Sequence, residues 1–482
     1  MPRFLPLILL AGLGLSTAAC STNPATGDSS LAFMTPAEEQ KIGNSEHPKT
    51  VAEYGGTYDH KELAAYITTV GNKLVAVSER KDQKFTFTLL DSDIVNAFAL
   101  PGGYVYVTRG LVALTSSEAE LAGVIGHEIG HVVARHTAQR DAQSKVAGTL
   151  AGVAGLLFGN GASQVAGYGA GAYVQRFSRD QEFESDMLGV RYLARAGYDP
   201  SAMAAFLSKL LAISAFEAQK AGQSVDDRFD IMASHPRTVE RVADAVSQAK
   251  EKPVKDPVVN RDALLNHLDG MMYGADPEKG IVRGQEFLYP PLKLKFAAPA
   301  SYRFQNGQSE VTATGPNSLS FIFDVRKAKA GQTADEFLRV WGTDFGITRT
   351  QAITAMGKPG ATGMATVKTE NGAQAAVRII AIRGDGDLVY RFQVIGPASS
   401  ASAVDTLAGQ VVNSLTTLND AEIQTIQPAR IAIVSAATQA EANGLAAKMR
   451  YQGTTDKRLF EILNGLSPGE APKPGVRVKI IQ

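Results

Sequence analysis

The stretch Gly126-His127-Glu128-Ile129-Gly130-His131 decides the fold, because it sets two histidines four residues apart within a helical pattern. Ser117 followed by Glu120 is typical of a capping box and predicts that the helix begins there. On such a helix the two imidazoles lie on one face, one turn apart, where both can bind one ion. Glu128 points beside that ion, where it can take a proton from a bound water and pass it to a leaving amine. The alternative is a chance HExxH in an ordinary helix.

A catalytic zinc site needs a third protein ligand. Glu182 is the candidate, because Asp186 follows it four residues later on a predicted second helix. One of these carboxylates can then bind zinc while the other accepts a hydrogen bond from the free ring nitrogen of a ligand histidine. This is the gluzincin arrangement, with one Zn²⁺ per chain held by His127, His131 and Glu182. Glu184 is the main rival for the third position, and an exposed charged helix face is the other reading.

His136 also lies near the motif, five residues after His131. Its spacing differs from that of a metzincin ligand. On a continuous helix His136 would point away from the ion, so we expect it to support the site rather than to bind the metal.

Composition bounds the architecture and the partners. The 482 residues exceed the roughly 250 to 300 that one core supports, so we expect two or three domains. Lys and Arg (48) balance Asp and Glu (48), which gives no basic surface for nucleic acid. We therefore expect no nucleic-acid partner.

The amino terminus is typical of a secretory signal, with an apolar run from Leu5 to Leu15 and small residues before Cys20. We expect residues 1–19 to be the signal peptide. A small-residue run that ends at a cysteine resembles a bacterial lipobox, so we expect lipidation of Cys20 and a lipid-anchored tether over residues 20–50. Ser21 is not the Asp of an inner-membrane retention signal, which favours the outer membrane. The alternative is ordinary cleavage that leaves Cys20 as a free thiol.

Beyond the signal, the pattern predicts an α+β multidomain chain. Residues 51–250 form a mainly helical zincin-type metallopeptidase domain with a small sheet, and 251–280 a linker. Residues 281–420 form an α+β domain, since short β-prone runs alternate there with helical ones. The strand predictions are Leu319 to Val325, Ala375 to Ile382 and Leu388 to Ile395; the helix predictions are Ala334 to Trp341 and Ser402 to Leu415.

Two further segments are singled out by composition. Val146 to Tyr173 is rich in glycine and has no charged residue, which predicts either a mobile apolar lid or membrane contact, or two glycine-packed helices in the core. Residues 431–482 end in a helix, a turn and a strand that resemble the second half of a LysM domain. Such domains bind peptidoglycan; the alternative is a generic cap.

Several separate stretches resemble the zinc metallopeptidases that include the CAAX prenyl proteases and HtpX, and in particular their periplasmic lipoprotein branch. The resemblance covers roughly Asn23 to Asp244, with Ser185 a departure where the family usually has Ala. The stretches are Asn23 to Gly27, Asn96 to Gly103, His131 to His136, Ser178 to Asp186 and Ser234-His235-Pro236.

The resemblance implies further roles. Pro101 to Val107 would be an edge strand that pairs with an extended substrate, so that Pro101, Gly102, Gly103 and Tyr104 bind it; an ordinary buried strand is the alternative. His235 would approach the metal or the oxyanion, unless it is a simple helix cap. Zinc and either His235 or Arg241 would stabilise the oxyanion.

These features together predict an enzyme, a zinc metalloendopeptidase that hydrolyses misfolded or misassembled envelope and outer-membrane proteins. Its place would be the periplasm, lipid-anchored at the outer membrane, with unfolded proteins and peptidoglycan as partners. The alternative is a non-enzymatic or autoinhibited chaperone or scaffold, held shut by His235 on zinc.

Overall fold

Helices dominate the first of two units into which the chain divides, residues 1–274 together with 429–482; the second unit is residues 275–428. The computed structural model describes residues 20–145, 177–220, 235, 238–307, 310–369, 372–451 and 456–482. The predicted lid or packed helices of Val146 to Tyr173 lie outside the described residues, as do the signal residues 1–19.

The elements of the described residues are numbered in chain order. The helices are α1 (Pro36–Glu53), α2 (Lys61–Val75), α3 (Arg109–Leu114), α4 (Glu118–Val133), α5 (Arg179–Arg195), α6 (Ser201–Lys220), α7 (Thr238–Glu251), α8 (Arg261–Leu268), α9 (Ala334–Gly342), α10 (Ala401–Ser414), α11 (Asp420–Gln424), α12 (Gln439–Asn443) and α13 (Lys457–Asn464), with residues 136–145 also helical. The strands are β1 (Cys20–Thr22), β2 (Ser29–Leu31), β3 (Thr86–Leu90), β4 (Ala97–Leu100), β5 (Tyr104–Thr108), β6 (Met272–Tyr273), β7 (Ile281–Arg283), β8 (Glu286–Tyr289), β9 (Leu294–Ala297), β10 (Arg303–Asn306), β11 (Val311–Thr314), β12 (Ser320–Lys327), β13 (Gln351–Ala355), β14 (Lys358–Lys368), β15 (Gln374–Arg383), β16 (Leu388–Pro397), β17 (Thr416–Thr417), β18 (Ala429–Val434) and β19 (Val478–Ile481).

Helix α4 carries the HExxH motif and is buried along its whole length. Ser117 caps it as predicted, because its side chain accepts a hydrogen bond from the backbone N–H of Glu120. The Glu120 carboxylate accepts from the backbone N–H of Ser116 instead of Ser117, at 2.7 Å, so the reciprocal half of the predicted capping box is displaced by one residue. The helix therefore begins where the sequence predicts, with one contact changed.

Glycines set the distance between α4 and α5. A Cβ atom at Gly126 would lie 3.3 Å from the Cα of Gly189, and one at Gly130 would lie 3.2 Å from the backbone oxygen of Ser185. These separations are tighter than ordinary van der Waals contact, so the two helices can approach this closely only where side chains are missing. The approach brings the histidines of α4 against the carboxylates of α5.

A three-stranded sheet lies in the first unit, in the order β3-β5-β4. Strand β5 is central, parallel to β3 and antiparallel to β4. The prediction of an edge strand over Pro101 to Val107 is therefore wrong: Pro101, Gly102 and Gly103 form a turn, and Tyr104 begins the central strand. The edge strand is β4, which comes just before that turn.

The segment predicted as a tether, residues 20–50, is folded. Strands β1 and β2 pair as an antiparallel hairpin, and α1 follows with Thr35 and Glu38 forming a capping box. Helix α1 packs so closely against the turn before β5 that a Cβ at its Gly43 would lie 2.2 Å from the carbonyl oxygen of Pro101. We call residues 20–53 the amino-terminal arm. The paired hairpin and the close packing of α1 against this turn explain why this polar stretch is folded.

Residues 429–482 lie in the first unit and share its hydrophobic core. Strand β18 pairs with both β19 and β6, and Phe460, Ile462 and Ile480 are buried in the same cluster as Ile125 and Leu193. The ammonium group of Lys479 is fully buried and donates to the carbonyl oxygens of Ala113 and Thr115, each at 2.7 Å. The predicted LysM-like segment is thus continuous with the core beneath α4.

Helix α6 is the one helix among the described residues that is long and apolar enough to cross a membrane. Its segment Ser201–Gln219 is 61% buried inside the protein, and Phe206, Leu207 and Leu210 belong to the core cluster. Those contacts are the ones expected of a core helix.

The second unit is rich in sheet. A seven-stranded antiparallel sheet has the order β10-β11-β12-β16-β15-β14-β13, and a four-stranded sheet has the order β17-β9-β8-β7. Phe296, Phe323 and Phe392 pack together between these strands, with helix α10 covering the same cluster. Strands β12, β15 and β16 and helices α9 and α10 coincide with the runs predicted there within one or two residues at each end. The mixed helical and sheet architecture is confirmed.

Candidate metal centre

Four buried side chains converge on one point: His127, His131, Glu182 and His235, whose ligand atoms all lie within 4.8 Å of one another. The Nε2 atoms of His127 and His131 are 3.0 Å apart, as expected for neighbours one helical turn apart. The Glu182 carboxylate oxygens lie 3.7 Å from the first of these nitrogens and 3.5 Å from the second. The predicted ligands are therefore brought together.

The donor set fits zinc. Zinc bonds of about 2.0 to 2.1 Å in tetrahedral geometry separate the ligand atoms by about 3.3 Å, which is close to the distances found here. Two imidazole nitrogens and one carboxylate are a common catalytic set for this ion. In addition, Oε2 of Glu128 is buried and has no hydrogen-bond partner among the described residues. A buried carboxylate oxygen of this kind calls for a water or a substrate group beside the ion.

Glu128 lies on α4 next to the ligands and is 2% exposed. Burial raises the pKa of its carboxyl above the ordinary value, although the neighbouring His235 and His127 oppose the shift. A raised pKa suits a group that accepts a proton and then returns it.

Helix α5 presents Glu182 and Asp186 on one face, as the four-residue spacing predicts. Asp186 Oδ1 is 2.9 Å from Nδ1 of His127, so this imidazole donates its Nδ1–H to a carboxylate and keeps a lone pair on Nε2. Burial would raise the pKa of Asp186, but the charge and hydrogen bonds of Arg241 outweigh it and lower the pKa to about 2. Asp186 is therefore ionised and orients His127.

Arg241, on α7, binds both carboxylates of α5. Its Nε and Nη2 donate to the two oxygens of Asp186 at 2.6 and 2.7 Å, and its Nη1 lies 2.8 Å from Oε2 of Glu182. Burial would lower the pKa of Arg241, but the two carboxylates outweigh it and raise the pKa. The guanidinium is engaged by Asp186 and Glu182, which differs from the role of oxyanion donor expected from the sequence.

His235 lies inside the group and not merely near it. Its Nδ1 is 2.9 Å from both oxygens of Glu182 and 3.3 Å from Nε2 of His127, while its Nε2 is 3.7 Å from Glu128. Burial lowers the pKa of His235, but Glu182 and Glu128 outweigh it and the pKa is raised. The ring can serve as a fourth ligand or as a donor to the reacting groups.

His136 turns back toward the site because α4 ends before it. Arg135 adopts a left-handed conformation, with φ of 61°, and this break in the helix places His136 Nδ1 2.8 Å from His131 Nδ1. The expectation that His136 points away on a continuous helix is wrong, since the helix does not continue. Its Nε2 is 3.1 Å from Oε2 of Glu184, and Ser185 Oγ lies 3.4 Å from its Nδ1.

Some residues of the site were missed in the sequence. Phe177 stacks on the ring of His131, with centroids 3.9 Å apart, and Asn23 donates to Glu184 at 2.6 Å. No local pattern identifies Phe177. For Asn23 a signal existed, because the Asn23 to Gly27 stretch was among those that carry the family resemblance.

Pro101 and Gly102 lie beside the metal group. They line a small pocket together with His131, Arg135 and Leu100 of the edge strand β4. Gly103 and Tyr104 lie further along the turn: Tyr104 donates its hydroxyl to Asn44 of α1 at 2.6 Å. Of the four residues predicted to bind substrate, Pro101 and Gly102 line this pocket, and the prediction of substrate binding stays a prediction.

Comparison with known proteins agrees with this geometry. Residues 61–249 match the model of Peptidase family M48. The chain is 33% identical over 284 residues to the beta-barrel assembly-enhancing protease of Yersinia pestis, covering 54% of this chain and 57% of that protein. It is 29% identical over 243 residues to the protein of the same name from Escherichia coli (strain K12), with 48% of each chain covered.

A eukaryotic relative matches a shorter region. The mitochondrial metalloendopeptidase OMA1 of Schizosaccharomyces pombe is 26% identical over 169 residues, covering 34% of this chain and 49% of that protein. The chain spans about half the length of the curated relatives that it matches. Over residues 61–249 the chain is therefore similar to Peptidase family M48, in agreement with the metallopeptidase predicted from the sequence.

Proposed function

We propose that the chain is a zinc-dependent endopeptidase, with one Zn²⁺ held by His127, His131 and Glu182. The observation that carries the proposal is the convergence of these three side chains beside the buried, unpaired oxygen of Glu128. When bound, zinc would polarise the peptide carbonyl and make its water acidic enough to react near neutral pH. The family match over residues 61–249 supports the same chemistry.

The residues around the ion divide the remaining work. Glu128 takes the proton of the attacking water and delivers it to the leaving amine, for which its raised pKa is suited. Asp186 holds His127 in the tautomer that offers Nε2 to the metal. Arg241 holds Glu182 and Asp186 in place, and this positioning role is favoured over direct oxyanion contact. His235 is the residue placed to donate to the oxyanion.

We propose that substrates bind in extended form along β4. Among the described residues this strand pairs only with β5, so its other edge is the one to which an extended substrate could add. Pro101 and Gly102 end that edge next to His131. Pairing through the backbone selects unfolded segments rather than one sequence. The two bacterial relatives are named for enhancing β-barrel assembly, which supports misfolded or misassembled outer-membrane proteins as the substrate class.

The names of the same relatives and the amino-terminal sequence support a location for this chain. We propose that the chain works in the periplasm at the outer membrane, attached through a lipid on Cys20 after removal of residues 1–19. The LysM-like segment, residues 431–482, would add contact with peptidoglycan. Its support is the sequence pattern alone, since its helix and strand belong to the core of the first unit.

A shut scaffold is the second candidate, and the position of His235 favours it. A fourth protein ligand would close the coordination position that a water needs, and His235 Nδ1 lies within reach of that role. Such a chain would bind zinc without hydrolysing peptides.

Casein degradation by the purified chain tests the proposal. We expect wild-type protein to degrade casein, chelator to abolish this, and Glu128→Gln to lose activity while it keeps a full complement of zinc. If the wild type and Glu128→Gln both bind zinc and neither degrades casein, the result favours the scaffold. If elemental analysis finds no zinc in the wild type, both candidates fail.

A further inference from the structure

A continuous line of hydrogen bonds joins the amino-terminal arm to a metal-binding histidine. Asn23 Nδ2 donates to Glu184 Oε1 at 2.6 Å, Glu184 Oε2 lies 3.1 Å from His136 Nε2, and His136 Nδ1 lies 2.8 Å from His131 Nδ1. Asn23 is 4% exposed, and His136 and His131 are 0% and 2% exposed. The line is therefore buried at Asn23 and at both histidines, while the Glu184 side chain is 22% exposed.

The partners in the line settle where each proton sits. A carboxylate only accepts hydrogen bonds, so Nε2 of His136 must carry its proton toward Glu184. A neutral imidazole has one N–H, which leaves Nδ1 of His136 as an acceptor. Nδ1 of His131 then donates to it, and the lone pair of His131 is left on Nε2, the atom that faces His127. Glu184 thus determines, through one intervening ring, the tautomer in which His131 can bind a metal.

Asn23 is itself held in one orientation. Its Oδ1 accepts from the backbone N–H of Ala25 at 2.9 Å, and its backbone closes the hairpin turn by bonds with Gly27 and Asp28. Because Oδ1 is taken, the Nδ2 group must be the one that faces Glu184. Arg191 of α5 donates to the carbonyl oxygen of Ala25 at 3.2 Å and so fixes the hairpin to the helix that carries Glu184.

Glu184 is excluded from the metal by the same contacts. One oxygen is used by Asn23 and the other by His136, and Glu184 is absent from the converging group that contains Glu182. Burial would raise the pKa of Glu184, but the hydrogen bonds from His136 and Asn23 outweigh it, so its pKa is lowered. The rival ligand of the sequence analysis has another task.

We propose that Glu184, His136 and Asn23 are positioning residues that hold His131 in its metal-binding tautomer, so that the docked hairpin of the amino-terminal arm controls how firmly zinc is retained. The proposal rests on the proposed function, because it takes His131 as a zinc ligand. The Asn23 to Gly27 turn thus acts on the metal centre, although it lies far from the metal ligands in the sequence.

Zinc affinity of the whole purified chain, measured by competition with a chromophoric chelator, tests the proposal. Partners that orient metal-binding histidines typically contribute 10- to 100-fold to affinity. We expect Glu184→Ala to weaken zinc binding by about 10-fold or more, and Asn23→Ala by about threefold, since it loosens Glu184 without removing it. Glu184→Gln should recover part of the loss, because its amide oxygen can still accept from His136.

Matched controls come from the same elements. Asp180→Asn removes an exposed carboxylate from the first turn of α5, and Thr26→Ala alters an exposed position of the hairpin turn. Neither contacts the line, so both should bind zinc as the wild type does. Thermal unfolding of each zinc-free variant shows whether a change in affinity merely follows a loss of stability.

Nitrogen-15 spectra of the histidine rings provide a readout that a purely structural role would not change. In the zinc-free wild type we expect His131 to be protonated at Nδ1, and in Glu184→Ala we expect a mixture of both tautomers. The proposal is overturned if Glu184→Ala and Asn23→Ala bind zinc as tightly as their controls, or if the His131 tautomer is unchanged. If instead the wild type binds no zinc, the proposed function has failed and not this refinement of it.

Discussion

The two ends of helix α4 are held by opposite ends of the chain and by different chemistry. At the start of the helix, Glu120 pairs with Lys209 at 2.6 Å, and Lys479 from the last strand donates to the carbonyl oxygens just before the helix. At its finish, the amino-terminal arm supplies Glu39, which accepts from Arg135 at 2.9 Å, and Asn23, which reaches the site through Glu184.

The contacts at the start of α4 stabilise the fold, whereas those at its end orient the metal ligand His131. Glu120 lies seven residues before His127, which is about 10 Å along a helix, so its buried charges fix the helix without touching the ligands. Arg135 and His136 lie within five residues after His131 and determine what surrounds the His131 ring. A helix that carries two ligands can thus be anchored at one end and adjusted at the other.

The largest effect should come from removing the anchor entirely. A chain truncated after Pro428 lacks β18, α13 and β19, which bury Phe460, Ile480 and Ile481 in the core of the first unit. The free energy contributed by burying the apolar side chains of these elements exceeds the typical free energy of unfolding of a domain, about 5 to 15 kcal/mol. We expect the first unit to lose its cooperative thermal transition. A truncated chain that melts as the full chain does would show that the end of α4 needs no such support.

Glu120→Ala probes the buried charges alone. It leaves the ammonium of Lys209 in the interior without its carboxylate, and breaking one side of a buried pair typically costs roughly 3 to 5 kcal/mol. Urea unfolding of the zinc-free chain should show a loss of that order, while zinc affinity below the transition stays within twofold. Replacing Glu120 and Lys209 together by Met should recover much of the stability, because no unpaired charge then remains.

The pH dependence of stability tests the role of Asp186, which contacts α4 between its two ends. The pKa of Asp186 is about 2, below its unfolded value of 3.8, so its contribution to stability is complete above about pH 4 and is lost as the pH falls toward 2. The shift corresponds to roughly 2 kcal/mol. Urea unfolding of zinc-free protein at pH 5 and pH 3 should show about half of this loss, because pH 3 lies between the two pKa values. Asp186→Asn should reduce the difference between the two pH values. An equal difference in both proteins would contradict the assignment.

Arg135→Ala should have a smaller effect on stability than Glu120→Ala, about 1 kcal/mol, because Glu39 loses Arg135 but keeps Arg80 at 3.7 Å. Arg135→Gly is its matched control, since glycine adopts the left-handed conformation of this position without strain. We expect Gly to be tolerated better than Ala in thermal unfolding, and both variants to release zinc faster than the wild type to a chelator. If stability falls while the rate of zinc release is unchanged, the end of α4 at Arg135 affects only stability, as the start at Glu120 does. That result would contradict the difference drawn between the two ends.

Local patterns explain how much of this could be predicted. Ser117 and the four-residue spacings of His127 with His131 and of Glu182 with Asp186 act within one or two turns, so the helices and their ligand faces followed from the sequence. The same holds for β12, β15 and β16, whose alternating side chains need no distant information. The prediction of an edge strand over Pro101 to Val107 failed, because the sequence of a strand does not reveal which strands lie beside it.

The remaining features depend on contacts between distant residues. Asn23 and Glu184 are 161 positions apart, and Lys479 reaches Ala113 across 366. The break after α4 depends on an arginine in a left-handed conformation, which residue type alone does not predict. For that reason the sequence identified His136 as a supporting residue but assigned it the wrong direction.

The glycine crossing of α4 with α5 has a consequence for the metal site. Two nitrogen donors come from one helix and the carboxylate from the other, so the span between donors is inherited from backbone separation. A methyl group at Gly126 or Gly130 would push its neighbours by a few tenths of an ångström, which is as large as the tolerance of about 0.2 Å in a metal–ligand bond. The crossing therefore helps to set the donor spacing at which these residues would hold zinc.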